Sequence, residues 1–83
     1  MNRIEMALQQ RKQNILTANE NELLTSIAYA TAVRVVKADG TKEYSKHFLD
    51  ELENNGIEVF FPGSIEDDKW HFQLPSLDHK SKG

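Results

Sequence analysis

The spacing of apolar residues along the chain alternates between a helical and a strand rhythm, and the switches mark the expected elements. From Asn2 to about Leu16 the sequence is rich in helix formers and free of Gly and Pro. Ile4, Leu8 and Ile15 recur on one side, with Met1 and Leu16 near them, while Gln9 to Asn14 are polar throughout. A helix with so thin an apolar stripe packs by its edge or needs a partner to cover it. Thr17-Ala18-Asn19-Glu20 matches the capping box, and Asn19 to Glu22 offers the same device in a second register. A break near residues 17–20 is therefore expected, followed by a second helix carrying Leu23, Leu24 and Ile27; the alternative is one long helix with an internal polar patch.

From Tyr29 the period becomes two. Tyr29, Thr31, Val33 and Val35 alternate with Ala30, Ala32, Arg34 and Val36, and β-branched residues dominate. Asp39-Gly40 is a favoured pair for a tight hairpin turn, with Thr41 to Tyr44 returning as a short strand. Ser45 is placed to cap a helix with Phe48, Leu49 and Leu52 inward, and Asn54-Asn55-Gly56 is placed to end it. Ile57, Val59 and Phe61 then share one strand face, and Trp70, Phe72 and Leu74 another. Pro62-Gly63 opens the connection between these strands, and Pro75 halts the last.

These elements predict an α+β fold: N-terminal helix or helices followed by ββαββ, with a four-stranded, mostly antiparallel sheet and the helices on one face. Residues 1–75 form a single domain in this reading, and residues 76–83 a disordered polar tail. A chain of 83 residues buries roughly 60–65% of its surface on folding, which leaves little material to line a deep pocket.

Composition narrows the chemistry. The sequence has no cysteine, which excludes disulfides, a thiolate nucleophile and cysteine-based zinc sites. Its first residues lack the apolar stretch of a secretory signal. The charge-free run from Leu23 to Val33 is shorter than the roughly 20 residues that span a bilayer. A cytoplasmic protein without a membrane role is expected. The net charge is −3, but it is unevenly spread. Residues 1–17 carry Arg3, Arg11 and Lys12 against Glu5, whereas residues 50–72 carry seven acids against Lys69. The chain is polarised along its length.

No run has the spacing of a catalytic or ligand motif. His47 precedes Asp50 and Glu51 at helical spacing, a pattern more typical of a surface ion pair than of a catalytic imidazole. His71 alternates with Trp70 and Phe72 and is expected to point outward, and His79 falls in the tail. Glu66-Asp67-Asp68 lacks the alternation and central Gly of a calcium loop. The glycines at 40, 56, 63 and 83 form no phosphate-cradling loop, and no serine sits in an activating context. No cofactor, metal or catalytic residue is expected.

Protein binding is the leading expectation: a non-enzymatic interaction protein that binds and modulates another protein through an acidic surface, of the regulator or inhibitor type carried by phages and plasmids. The contact residues would be Asp50, Glu51, Glu53, Glu58, Glu66, Asp67 and Asp68, with Phe60 as an apolar anchor out of phase with its strand neighbours. The thin stripe of the first helix could also bury itself in a second copy. The alternative is a nucleic-acid-binding accessory using the basic first helix or aromatics displayed by the sheet, namely Phe60, Phe61, Trp70 and Phe72.

Overall fold

The computed structural model of the chain describes residues 2–76. Among these it forms helix α1 (Arg3–Ala28), strand β1 (Val35–Asp39), helix α2 (Lys46–Asn54), strand β2 (Glu58–Phe60) and strand β3 (Lys69–Gln73). The strands make one antiparallel sheet in the order β1-β3-β2. β1 and β2 therefore run parallel to one another on either side of β3, joined through α2.

This corrects the expected four-stranded sheet with ββαββ order. The difference lies in Thr41 to Tyr44, which forms no strand. A turn does form here, but it spans Asp39 to Lys42, neither Asp39 nor Gly40 has positive φ, and it closes no hairpin. Lys42 N–H donates to the Asp39 carbonyl at 3.0 Å, and Asp39 Oδ1 accepts from the Thr41 amide and hydroxyl at 2.8 and 2.9 Å. Those bonds from Thr41, the backbone one foremost, hold the Asp39 carboxyl below its ordinary value. Beyond the turn, side chains take over the segment's backbone groups. Trp70 Nε1 donates to the Lys42 carbonyl at 3.0 Å, Asn19 Nδ2 donates to the Glu43 carbonyl at 3.2 Å, and Ser45 N–H donates to Glu20 at 3.1 Å. With these partners the extended backbone needs no ladder.

The same contacts explain why α1 runs unbroken through residues 17–20. Asn19 and Glu20, candidate capping residues, hold the 43–45 backbone instead, and the Thr17 hydroxyl donates to the Gln13 carbonyl one turn back. The capping box forms at Asn2 and Glu5, where the Asn2 side chain accepts from Glu5 N–H at 2.8 Å. The helix ends at Ala28, and the alternating stretch from Tyr29 turns and bends before strand pairing begins at Val35.

One face of the sheet carries the core. Leu23 of α1 and Phe48 and Leu52 of α2 pack with Val36, Ile57, Trp70, Phe72 and Leu74. Phe72, on the central strand, is fully buried. Tyr44 meets Trp70 and Phe72 edge-on, with ring centroids 5.1 and 5.8 Å apart, while Trp70 and Phe72 stack on each other. Two glycines are fixed by geometry. Gly56 follows α2 at φ 89°, a conformation that L side chains rarely adopt. At Gly40 a Cβ would stand 2.0 Å from the Asp68 carbonyl oxygen.

α2 forms as its sequence implies. Ser45 Oγ accepts from Phe48 N–H at 3.1 Å, Phe48 and Leu52 are buried, and Asn55 caps the C-terminus. Among the described residues no helix is long and apolar enough to cross a membrane.

Candidate partner-binding groove

A groove with both apolar and charged walls lies where α2 passes beside β2. Burial of Phe48 and Leu52 turns the opposite side of α2 outward, exposing Asp50, Glu51 and Glu53 and leaving Leu49 at the margin. β2 pairs with β3 along one edge only, so its other edge is open. Between them runs a groove of about 400 Å³ lined by Tyr44, Lys46, Leu49, Asp50, Glu53, Val59, Phe61 and Trp70. It continues past Glu53 into a shallower hollow beside Gly56, Ile57 and Glu58.

The floor of the groove is aromatic and aliphatic, and its wall is acidic. Phe61 is 57% exposed and rests edge-on against Trp70, with ring centroids 5.3 Å apart. Lys46 Nζ lies 3.2 Å from Asp50 Oδ2, but both side chains are well exposed and such a pair contributes little. Glu53 and Glu58 have no cationic partner among the described residues. Burial, aided by the Glu22 charge, pushes the Tyr44 hydroxyl up to about 12. The arrangement suits a segment that brings apolar side chains to the floor and cations to the wall. Chemically it is a binding surface, shallow and open to water.

The predicted contact residues divide. Asp50 and Glu53 line the groove, and Glu58 borders its continuation. Glu51 is exposed on α2 without lining it. Phe60 stands on the outer face of the sheet, half-buried and level with His71. Glu66, Asp67 and Asp68 lie in the β2–β3 loop and line none of the groove. Asp67 turns to the outer sheet face, with its Oδ2 3.3 Å from His71 Nε2 and 3.9 Å from Lys37 Nζ. The acids thus form no single field: Asp50 and Glu53 gather at the groove with Glu58 beyond them, and Asp67 serves the outer face.

Two residues reverse their expected exposure. His71 does leave the core face, yet it is only 8% exposed, enclosed by Lys37 and Phe60 on the flanking strands and by Asp67 above. Phe61, expected inward with Ile57 and Val59, keeps the side that Val59 and Trp70 share, but it lies beyond the end of β2 and stays exposed in the groove. Trp70 and Phe72 are buried under the helices, so the sheet does not display the aromatic set that base stacking would use. His47 is exposed, and Asp50, its proposed neighbour, pairs with Lys46. His79 lies outside the described residues. Among the described residues no three His, Asp or Glu side chains converge on a common point. Tyr44, Leu49 and Val59 escaped sequence reasoning as groove residues. Leu49 and Val59 read as core, and nothing in the pattern said that their margins would stay open.

No family model, curated protein or solved structure matches the chain.

Proposed function

We propose that the chain is a small non-enzymatic interaction protein, a regulator or inhibitor that binds another protein through the α2–β2 groove. The observation that carries this reading is Phe61, held exposed against Trp70 between an open strand edge and the carboxylates of Asp50 and Glu53. An exposed aromatic in a concave site is a typical anchor, and the unpaired Glu53 beside the weakly paired Asp50 favours a basic partner and speeds its approach. The open edge of β2 adds main-chain donors and acceptors that an extended segment can pair with. The partner segment in this reading is extended, with apolar side chains alternating with Lys or Arg. The cysteine-free sequence suits a reducing compartment, and the reading places the protein in the cytoplasm. The stripe of α1 is left for a second copy.

Capture from native cells tests the reading when the full chain is compared with an Asp50→Lys, Glu53→Lys, Phe61→Ser variant. These side chains are at the surface, so both forms should melt within a few degrees of each other. The reading expects proteins held by the wild type to be lost from the variant. Retention of the same proteins by both forms overturns it.

A further inference from the structure

The first half of α1 extends beyond the body of the domain. Residues 2–15 are exposed throughout, and Ile4, Leu8 and Ile15 are 72%, 58% and 49% exposed. Contact with the body starts further along, where Asn19, Glu20 and Glu22 bond to the 42–45 segment and Leu23 enters the core. The overhang is neither a random polar helix nor a complete amphipathic one. Ile4, Leu8, Arg11 and Ile15 recur at alternating intervals of four and three, the repeat of a coiled-coil seam.

We propose that two copies of the chain pair antiparallel through this overhang, with Ile4 facing Ile15 of the second copy and Leu8 facing Arg11 of the second copy. Three features select this occupant and this direction. The stripe is self-complementary when reversed: its two ends are both Ile, and its middle positions bring Leu against the aliphatic stem of Arg, whose guanidinium can reach water. The flanking charges match in the same register. Glu5 is the one acid among residues 1–17, and it comes beside Lys12 of the copy, with the reciprocal pair on the other side of the axis. A parallel pair would instead bring Lys12 beside Ala7 of the copy and leave Glu5 without that cation. The lengths match as well. In this register Asn2 of the copy comes level with Thr17 and stops short of Asn19, where the body begins. A notch of about 330 Å³ lined by Leu8, Arg11, Lys12, Ile15, Asn19, Thr41 and Glu43 lies at that end to receive it. The two bodies then sit at opposite ends of the helix pair, and each groove beside α2 stays open. The inference is independent of what the groove binds.

The lack of cysteine makes the register directly readable. A double variant, Ile4→Cys with Ile15→Cys, should form a disulfide-linked dimer under mild oxidation. Neither single variant should, because like positions stand about 16 Å apart along the antiparallel axis, at 1.5 Å rise per residue, well beyond disulfide reach. Sedimentation equilibrium of the unmodified chain should show a mass rising with concentration from 9.5 kDa toward the dimer. Leu8→Asp should hold it at the monomer, and Lys12→Glu should weaken association several-fold at low salt. Covalent dimers from the single variants as readily as from the double would overturn the antiparallel register. A monomer mass for the wild type up to the highest soluble concentration would overturn the pairing itself.

Discussion

The two halves of α1 share one unbroken helix and a comparable number of apolar residues, yet only one belongs to the domain. The later half carries Leu23 into the core and lays Asn19, Glu20 and Glu22 against the 42–45 segment. The earlier half offers Ile4, Leu8 and Ile15 and finds no core to enter. Apolar side chains alone therefore did not decide which part of the helix docks. What distinguishes the docked half is polar: a carboxylate and an amide that reach the exposed backbone of an extended segment, beside one well-placed leucine. A polar group that satisfies a neighbour's backbone fixes position as well as adding stability.

Truncation separates the halves most sharply. Leu23→Ala should cost about 2–5 kcal/mol, as a buried leucine truncation does. That is a large share of a total on the order of 4–12 kcal/mol for a chain this size. Leu8→Ala, measured at concentrations where the chain is monomeric, should change stability by less than about 0.5 kcal/mol. Equal losses in chemical denaturation would break the comparison.

Gly40→Ala comes next. The added carbon would meet the Asp68 carbonyl, so the turn and the β2–β3 loop must part, at a cost of about 1–3 kcal/mol. The loss should appear as faster amide exchange at Asp39 and Lys69, which are paired across the ladder. A smaller effect, about 1 kcal/mol, is expected for Glu20→Ala, which leaves the part-buried Ser45 amide without its acceptor. If polar anchoring positions α1, this change should also raise amide exchange through residues 41–45. Unchanged exchange there would show that Leu23 suffices.

Acid should produce the smallest effect. The Asp39 carboxyl is held below its ordinary value of 3.8 by the bonds from Thr41. A depressed carboxyl contributes stability that is present above that ordinary value and lost as pH falls through the lower folded one. Asp39→Asn should therefore flatten the acid limb of the melting curve slightly. An identical limb would show that the turn does not depend on the carboxylate.

Much of the body was legible in the sequence, and the reasons are local. Ser45 as a cap, Gly56 after the helix and Phe48 and Leu52 facing inward follow from rules that act within one turn. Trp70, Phe72 and Leu74 share a face because a strand's period is two. The errors at residues 17–20 and 41–44 involve partners distant in sequence. Thr41 to Tyr44 has strand-like residues, but its backbone is claimed by Trp70, Asn19 and Glu20. Those claims also removed the helix break expected at residues 17–20. The groove was half visible: Asp50, Glu53 and Glu58 were named, but Phe61 was assigned to the core because the end of β2 could not be seen. His71 was expected in solvent, since nothing local announces that Asp67 folds over it.

We propose that another protein binds in the groove beside α2, with Phe61 at its floor. Selection of peptides from a random display library on the immobilised full chain, followed by NMR mapping of the best binder on the ¹⁵N-labelled protein, tests it most directly. The account predicts extended peptides in which Lys or Arg alternates with apolar residues, and shifts centred on Asp50, Glu53, Val59 and Phe61. Shifts centred on Phe60 and His71 across the outer sheet face, or on residues 3–15 of α1, would contradict it.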